Sequence, residues 1–272
     1  MHKNNMPQIL LGPGGTAGLG YEKGLLEAHR LGFTALECEF THGISLSNEK
    51  AKEIGELARK YKITLSVHAP YFINLASAKK EKIAASKKRI LDSCERAHYL
   101  GAKYVIFHAA YYCKRDKEEI YHAVKAEMLD MQKAIKKNKW NAVLAPETTG
   151  KPSQFGSLDE LKRLSDETGC AVCIDFAHIL AREGSIDYKK ILPIVKEIKQ
   201  KTSHFSGINY GPSGEKNHEV TPSSEIEKLL KALVKHGISI AVINESPEPF
   251  KDSIKARDIL ERIAVTVKNK QC

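Results

Sequence analysis

Strand-length apolar segments alternate with helix-length amphipathic segments eight times along this chain of 272 residues. Most of the strand segments are continuous apolar runs, as expected for parallel strands that helices cover on both faces. Connections between parallel strands are right-handed, and eight such units close into a (β/α)8 barrel of about this length. The sequence therefore predicts the α/β class and a single (β/α)8 TIM barrel domain over residues 1–272, with an open doubly wound sheet as the alternative.

The ends of the predicted segments carry capping residues. Ser157 followed by Glu160 predicts a capping box at a helix N-terminus, and Gly169 predicts a left-handed helix end. We also expect a seventh strand over residues 203–210, a polar loop over 211–219 and a loop after the sixth strand. In a barrel these boundaries place all the C-terminal strand ends at one face, where active sites lie.

Side chains that bind metal ions stand at or just after the ends of most of the predicted strands. They comprise five histidines and three carboxylates: His68, His108, His178, His204, His218, Glu147, Asp175 and Glu245. Imidazole and carboxylate together suit zinc, manganese or iron. A cluster of this size exceeds what one four-coordinate ion needs, so we expect two or more metals that share a bridging carboxylate. Two metals ~3.5–4 Å apart are suited to the hydrolysis of phosphate esters.

Six segments, taken in order, resemble the endonuclease IV family of apurinic/apyrimidinic endonucleases. They are Ser66–Tyr71 with Ile73-Asn74-Leu75, Phe107-His108, Pro146-Glu147, Asp175–His178, His204-Phe205 and Asn244–Pro247. The match runs over nearly the whole chain. This resemblance implies a zinc-dependent hydrolase of DNA repair, a deoxyribonuclease IV type of nuclease. Such an enzyme cleaves the phosphodiester on the 5′ side of abasic sites in double-stranded DNA.

The resemblance also implies which residues bind which ion. One zinc ion would be bound by His68, His108 and Glu147. The second would share Glu147 and add Asp175, His204 and Glu245. A third would be bound by His178 and His218. Glu147, as the bridging carboxylate, is the predicted catalytic residue, and manganese stays an alternative metal for such ligands.

Two further segments concern contact with DNA. Tyr71 and Phe72 match the loop by which the family enters the minor groove at the lesion, where aromatic rings can stack in the gap left by a missing base. A packed aromatic pair is the alternative. After the second strand the chain lacks the arginine that the family commonly uses near the lesion, and His42 is the candidate substitute.

The chain departs from the family at the expected third metal. The family pattern there is aspartate, any residue, histidine, which would place the aspartate at Lys216. Lysine cannot replace a carboxylate ligand. Two hypotheses follow. Either Glu215 reaches the third ion instead, or the third site is weak or absent and Lys216 offers its ammonium group to the DNA phosphate.

Composition limits the compartment and the partners. Forty-three basic and thirty-three acidic residues give a net charge of +10, which suits a polyanionic partner but also an ordinary basic surface. No apolar run approaches the ~20 residues of a membrane helix, and the first seven residues lack a signal-peptide core. We therefore expect a cytoplasmic protein without a membrane or an obligate protein partner. Cys170 and Cys173 are expected to pack on opposite faces of a strand.

Two other functions remain as alternatives. The first is a sugar isomerase or epimerase of the xylose isomerase-like group, with one metal bound by Glu147, Asp175, His204 and Glu245. Such an enzyme has no need for the additional histidines as ligands of a neighbouring metal. The second is a protein that binds damaged DNA and has lost turnover together with the third metal, a hypothesis that rests on Lys216.

Overall fold

Parallel strand pairing closes the chain into a barrel in the computed structural model, which describes residues 6–41 and 43–269. Its strands are β1 (Ile9–Pro13), β2 (Ala35–Glu39), β3 (Thr64–His68), β4 (Tyr104–Phe107), β5 (Ala110–Tyr111), β6 (Val143–Pro146), β7 (Gln154–Phe155), β8 (Val172–Asp175), β9 (Lys201–Phe205), β10 (Gly207–Gly211), β11 (Gly214–Glu219) and β12 (Ile240–Asn244). Its helices are α1 (Tyr21–Arg30), α2 (Asn48–Tyr61), α3 (Lys80–Leu100), α4 (Lys117–Lys137), α5 (Leu158–Thr168), α6 (Phe176–Glu183), α7 (Tyr188–Glu197), α8 (Ser223–His236) and α9 (Pro249–Asn269).

Eight of these strands form the barrel wall. They pair in parallel in two four-stranded sheets, ordered β2-β3-β4-β6 and β8-β9-β12-β1. Parallel bridges from Gly14 to Glu37 and from Glu147 to Cys173 join the two sheets at both seams. The predicted (β/α)8 barrel is therefore confirmed, and the open doubly wound sheet is wrong.

The helices cover the outer face of the wall with apolar residues at helical spacing. In α4, for example, Ile120, Val124, Met128 and Met131 are fully buried. Each side chain of this size contributes about 1.5–3 kcal/mol when it leaves water. The capping box of Ser157 at the start of α5 is confirmed. None of the helices in the described part of the chain combines the length and apolarity that crossing a membrane requires.

The inner face of the wall follows from strand alternation. Side chains two residues apart on a strand point to the same side, and Ile106, Ala145 and Cys173 form a small buried cluster apart from the main core. Cys170 belongs to the main core, so the prediction that it and Cys173 lie on opposite faces is confirmed. Two residues beyond Ile106, Ala145 and Cys173 come His108, Glu147 and Asp175, which alternation therefore directs to the barrel mouth.

Two connections differ from the expectation. The segment after β8 is the helix α6, because the side chain of Asp175 accepts a hydrogen bond from the backbone N–H of His178 at 2.8 Å and caps the helix. The expected seventh strand ends at Phe205, and the expected polar loop is the antiparallel hairpin β10–β11. Most of this hairpin is solvent-exposed, so no apolar alternation marked it in the sequence.

Candidate metal centre

The eight predicted ligands all lie at the mouth of the barrel. Their nitrogen and oxygen atoms form three groups, within each of which the atoms are no more than 4.8 Å apart. The groups are His68 with His108 and Glu147, Glu147 with Asp175, His204 and Glu245, and Asp175 with His178 and His218. A cavity of about 910 Å³ opens above them. The tertiary structure therefore brings together all the predicted metal-binding side chains.

Glu147 lies at the centre of the cluster. Its Oε2 is 3.2 Å from His68 Nε2 and 3.0 Å from His108 Nε2, while its Oε1 is 3.1 Å from His204 Nδ1. Burial raises the pKa of this carboxyl, but His108 and His204 outweigh burial and hold the pKa well below its ordinary value. The carboxylate is thus ionised and shared between two sets of histidines.

Backbone carbonyls determine which ring nitrogens are available. His68 Nδ1 lies 2.8 Å from the carbonyl oxygen of Ala69, so we assign the proton to Nδ1 and the lone pair to Nε2. That lone pair faces Glu147 Oε2, which is also an acceptor, and a proton or a cation must lie between them. Burial lowers the pKa of His68, but Glu147 raises it more, to about 9. Histidine rings held this way are typical of metal ligands.

The third group has the same arrangement with two rings. His178 Nδ1 is 3.0 Å from the carbonyl oxygen of Thr148, and His218 Nδ1 is 3.1 Å from that of Glu245. The two Nε2 atoms then face each other at 3.2 Å. Glu215 Oε2 is 3.5 Å from His178 Nε2. These three side chains converge on one point, where a proton or a cation would satisfy their lone pairs.

A β-bulge brings Glu215 to this point. In the β10–β11 hairpin, Tyr210 pairs with Glu215 and Asn209 pairs with Asn217, so Lys216 is an extra residue. In a regular strand, Glu215 and His218 would point to opposite faces. The extra residue restores them to the same face.

The backbone of Gly150 makes room for the same carboxylate. A Cβ atom on Gly150 would lie 2.8 Å from Glu215 Oε2 and 3.1 Å from His178 Cδ2. A Cβ contact under 3.0 Å essentially never occurs, so a larger residue would displace Glu215, and it would also crowd His178. The hypothesis that Glu215 takes the place of the missing aspartate is compatible with this geometry, and it stays a prediction.

Lys216 occupies a different position from the ligands. Its side chain is exposed and lies over the neighbouring strand, where a Cβ atom on Gly211 would be 3.4 Å from its Nζ. It does not line the cavity. Lys216 would therefore contact a DNA phosphate at the outer surface of the hairpin, outside the cavity. This contact stays a prediction.

One further observation, on the carboxylate of Asp175, indicates that the ligand side chains fit a metal ion. Asp175 is completely buried, and its Oδ2 has no hydrogen-bond partner among the described residues, although His178 Nδ1 lies 3.4 Å away. Burial raises the pKa of this carboxyl. A buried acceptor without a partner costs about 1–3 kcal/mol, whereas a cation held also by Glu147, His204 and Glu245 would satisfy it. Imidazole and carboxylate groups of this kind bind divalent transition metals.

Two carboxylates of the site did not appear in the sequence prediction. Glu37 is completely buried, accepts a hydrogen bond of 2.6 Å from Ser66 Oγ and has its Oε1 3.0 Å from His204 Nε2. Neither of these last two atoms has a hydrogen-bond partner among the described residues, so Glu37 can orient the ring through its charge. Glu39 lines the cavity, and burial together with the charge of Glu245 raises its pKa to about 7. The sequence did contain a sign of them. Both glutamates alternate with apolar residues in a strand that helices should cover on both faces, where charged residues are not expected.

A cysteine also lies beside the second group. The Cys173 sulfur is within 4.8 Å of ligand atoms of Glu147 and His204. Burial raises the pKa of this thiol well above its ordinary value. Cys173 also packs in the inner buried cluster with Ile106 and Ala145.

The two predicted DNA-contacting aromatics are exposed at the rim. Tyr71 is 56% exposed and Phe72 73% exposed, so the alternative of a packed pair is wrong. The Tyr71 ring lies 5.9 Å from that of His68, and the Arg89 guanidinium donates a hydrogen bond to the carbonyl oxygen of Phe72. Their contact with DNA stays a prediction. His42, the candidate substitute for the missing arginine, lies outside the described residues.

Comparison with known proteins identifies relatives of this chain by sequence. The profile of the xylose isomerase-like TIM barrel family matches residues 25–263. An uncharacterised protein of Methanocaldococcus jannaschii is 36% identical, over 80% of this chain and 84% of its own length. A probable endonuclease 4 of Metamycoplasma arthritidis is 28% identical, over 70% of this chain and 74% of its own. The resemblance to endonuclease IV proteins that the motifs predicted is thus confirmed.

Solved structures share the fold at lower identity. The endonuclease IV of Thermus thermophilus superposes with a TM-score of 0.71 at 20% identity, over 94% of this chain and all of that one. A D-tagatose 3-epimerase-like protein superposes with a TM-score of 0.75 at 17% identity, over 97% of this chain and all of that one. Both likenesses concern the barrel, which nucleases and epimerases share, and they do not choose between the two reactions.

Proposed function

This chain belongs to the xylose isomerase-like TIM barrel family, and from that membership we propose that it is a metal-dependent phosphodiesterase that cleaves DNA on the 5′ side of abasic sites. The observation that carries the proposal is the position of Glu147. One carboxylate oxygen faces His68 and His108, and the other faces His204. A carboxylate shared in this way suits a pair of metal ions, which phosphoester hydrolysis uses.

The proposed ligands follow the three groups. His68, His108 and Glu147 would hold one zinc ion. Glu147, Asp175, His204 and Glu245 would hold a second. His178 and His218, with Glu215, would hold a third. When bound, such ions supply positive charge that offsets the charge of a phosphodiester and favours the ionisation of water. Glu147, shared by two groups, is the proposed catalytic residue.

Other residues of the chain would position the DNA. Tyr71 and Phe72 stand exposed at the rim, where their rings could stack in the gap left by the missing base. Lys216 and the net charge of +10 would attract the phosphates. In the reaction, a water oxygen adds to phosphorus and the bond from phosphorus to O3′ of the preceding nucleotide breaks. O3′ takes a proton, which leaves a 3′-hydroxyl and a 5′-deoxyribose phosphate.

A duplex with one synthetic abasic site tests this proposal. We expect zinc-loaded protein to cut it once, with the two ends named above, and Glu147→Ala to abolish the cut. The matched control is Glu167→Ala, which changes a carboxylate on the outer helix α5 and should keep full activity. Thermal unfolding of each variant controls for folding. A protein with its full metal content that leaves the duplex intact contradicts the proposal.

A sugar isomerase or epimerase is the second candidate, because the four ligand residues of the second group could by themselves hold one metal. Zinc content near one ion per chain, together with turnover of ketohexoses, would favour it. The four histidines outside that group would then have no metal to bind, which is why we prefer the nuclease. A protein that binds the abasic duplex tightly without cutting it would instead be a damage sensor.

A further inference from the structure

Glu39 is a carboxylate at the cavity wall that belongs to none of the four ligand groups formed by the described residues. It is the last residue of β2 and lies in register with His68 on β3. Within residues 6–41 and 43–269, no group donates a hydrogen bond to it; Glu245 and Glu37 repel its charge, whereas His68 and His204 attract it. A half-buried carboxylate without a partner is unfavourable, so it suits a group that enters the cavity.

A glycine opens the cavity around this carboxylate. A Cβ atom on Gly14 would lie 2.7 Å from Glu39 Oε1 and 3.4 Å from Glu245 Cγ. Any side chain at Gly14 would therefore fill the part of the cavity into which Glu39 and Glu245 point. Glu39 is thus presented beside Glu245, at the edge of the second ligand group.

The chemistry of Glu39 restricts what it can bind. An ionised carboxylate repels a phosphate, so the phosphodiester is a poor partner for the charged form of Glu39. A hydroxyl group that donates a hydrogen bond is suitable, and a bond to an ionised carboxylate is stronger than one between neutral groups. An abasic deoxyribose carries such a hydroxyl at C1′, where every intact nucleotide carries a base.

Resting on the proposed function, we propose that Glu39 accepts a hydrogen bond from the C1′ hydroxyl of the abasic sugar and so selects that lesion. Glu39 would contact the substrate without taking part in bond cleavage. It would distinguish a true abasic nucleotide from an otherwise identical sugar that lacks the hydroxyl. A buried polar group that loses its partner rejects such an analogue strongly.

Two duplexes that differ only at C1′ test this inference. One contains the natural abasic deoxyribose, and the other contains its tetrahydrofuran analogue, which has no hydroxyl. We expect wild-type protein to have a higher kcat/KM on the natural site, by roughly 10-fold or more. Glu39→Ala should remove most of that preference while still cutting the analogue. The ratio of the two rates is unaffected by partial unfolding, since inactive protein lowers both rates equally.

The other outcomes separate the two proposals. If wild-type protein cuts both duplexes and Glu39→Ala leaves the ratio unchanged, the inference about Glu39 is wrong and the proposed function stands. If wild-type protein cuts neither duplex, the proposed function is wrong and the inference fails with it. If the protein instead turns over a free ketohexose and Glu39→Ala abolishes that turnover, Glu39 binds a hydroxyl group of a free sugar and not of abasic DNA.

Discussion

His178 and His218 face each other through Nε2 atoms that are 3.2 Å apart, while a backbone carbonyl holds the Nδ1 of each ring. Two lone pairs at this distance repel each other unless a proton or a cation lies between them. Glu215 approaches the same point through the bulge at Lys216. Glu215 would thus replace the aspartate that the family pattern places at position 216, and the first prediction concerns Glu215.

Replacing Glu215 with alanine should remove about one zinc ion per chain while the other ions remain bound, because it takes away the carboxylate of a three-ligand site. Elemental analysis of protein after gel filtration measures the change. Lys216→Ala is the matched control and should keep the full zinc content, since the Lys216 side chain lies outside the cavity. Equal zinc content in wild-type protein and Glu215→Ala would show that Glu215 is not a ligand.

Glu37→Gln should weaken zinc binding by roughly 10- to 100-fold, the range found when a group that orients a metal-binding histidine is changed. Glu37 lies 3.0 Å from His204 Nε2, and glutamine keeps its size but not its charge. Competition with a chelator measures the affinity. Ser66→Ala, which removes the hydrogen bond to Glu37, should have a smaller effect in the same direction. Unchanged affinity in both variants would assign Glu37 a packing role only.

Zinc uptake near pH 7 should release protons. In the metal-free protein, Glu147 outweighs burial and raises the pKa of His68 to about 9, and Asp175 and Glu147 do the same for His178, to about 10. Both rings are therefore protonated at pH 7, and a ligand nitrogen must lose its proton to bind metal. Zinc affinity should accordingly rise with pH up to about 10. An indicator dye in weakly buffered protein measures the release, and uptake without release contradicts the assignment.

The same raised pKa values predict how the metal-free protein responds to pH. Because the folded pKa exceeds the ordinary histidine value, these rings stabilise the fold fully below pH ~6.5 and lose that contribution as pH rises through the folded pKa. Thermal unfolding in chelator should therefore occur at lower temperature at pH 9.5 than at pH 6.5. Zinc-loaded protein should show a smaller decrease, because the metal replaces the protons.

Substitutions at the rim should separate stacking from charge in DNA binding. Tyr71→Ala should weaken binding of the abasic duplex by about 1–3 kcal/mol, the value of one stacked base, with little effect on an intact duplex. Lys216→Ala should weaken both duplexes alike and reduce the dependence of binding on salt by about one unit. Fluorescence anisotropy at several salt concentrations measures both. Equal effects of Tyr71→Ala on the two duplexes would exclude a role at the lesion.

The sequence alone determined the barrel and most of the candidate site. The eight alternating segments specify the fold, because only parallel strands covered by helices can bury such apolar runs. Most of the predicted ligands could be named because they stand at or just after strand ends, and a barrel brings those ends to one face. Capping at Ser157 was equally readable, since it depends on residues that are close in the chain.

Only the tertiary structure decided the contacts that join distant residues. The roles of Glu37 and Glu39 depend on the register of β2 beside β3 and on the approach of His204 from β9. The position of Glu215 depends on one extra residue in a polar hairpin, which reverses the face that a strand pattern would assign. Local patterns specify elements, whereas the direction of a carboxylate in a cavity depends on packing between elements that are far apart in sequence.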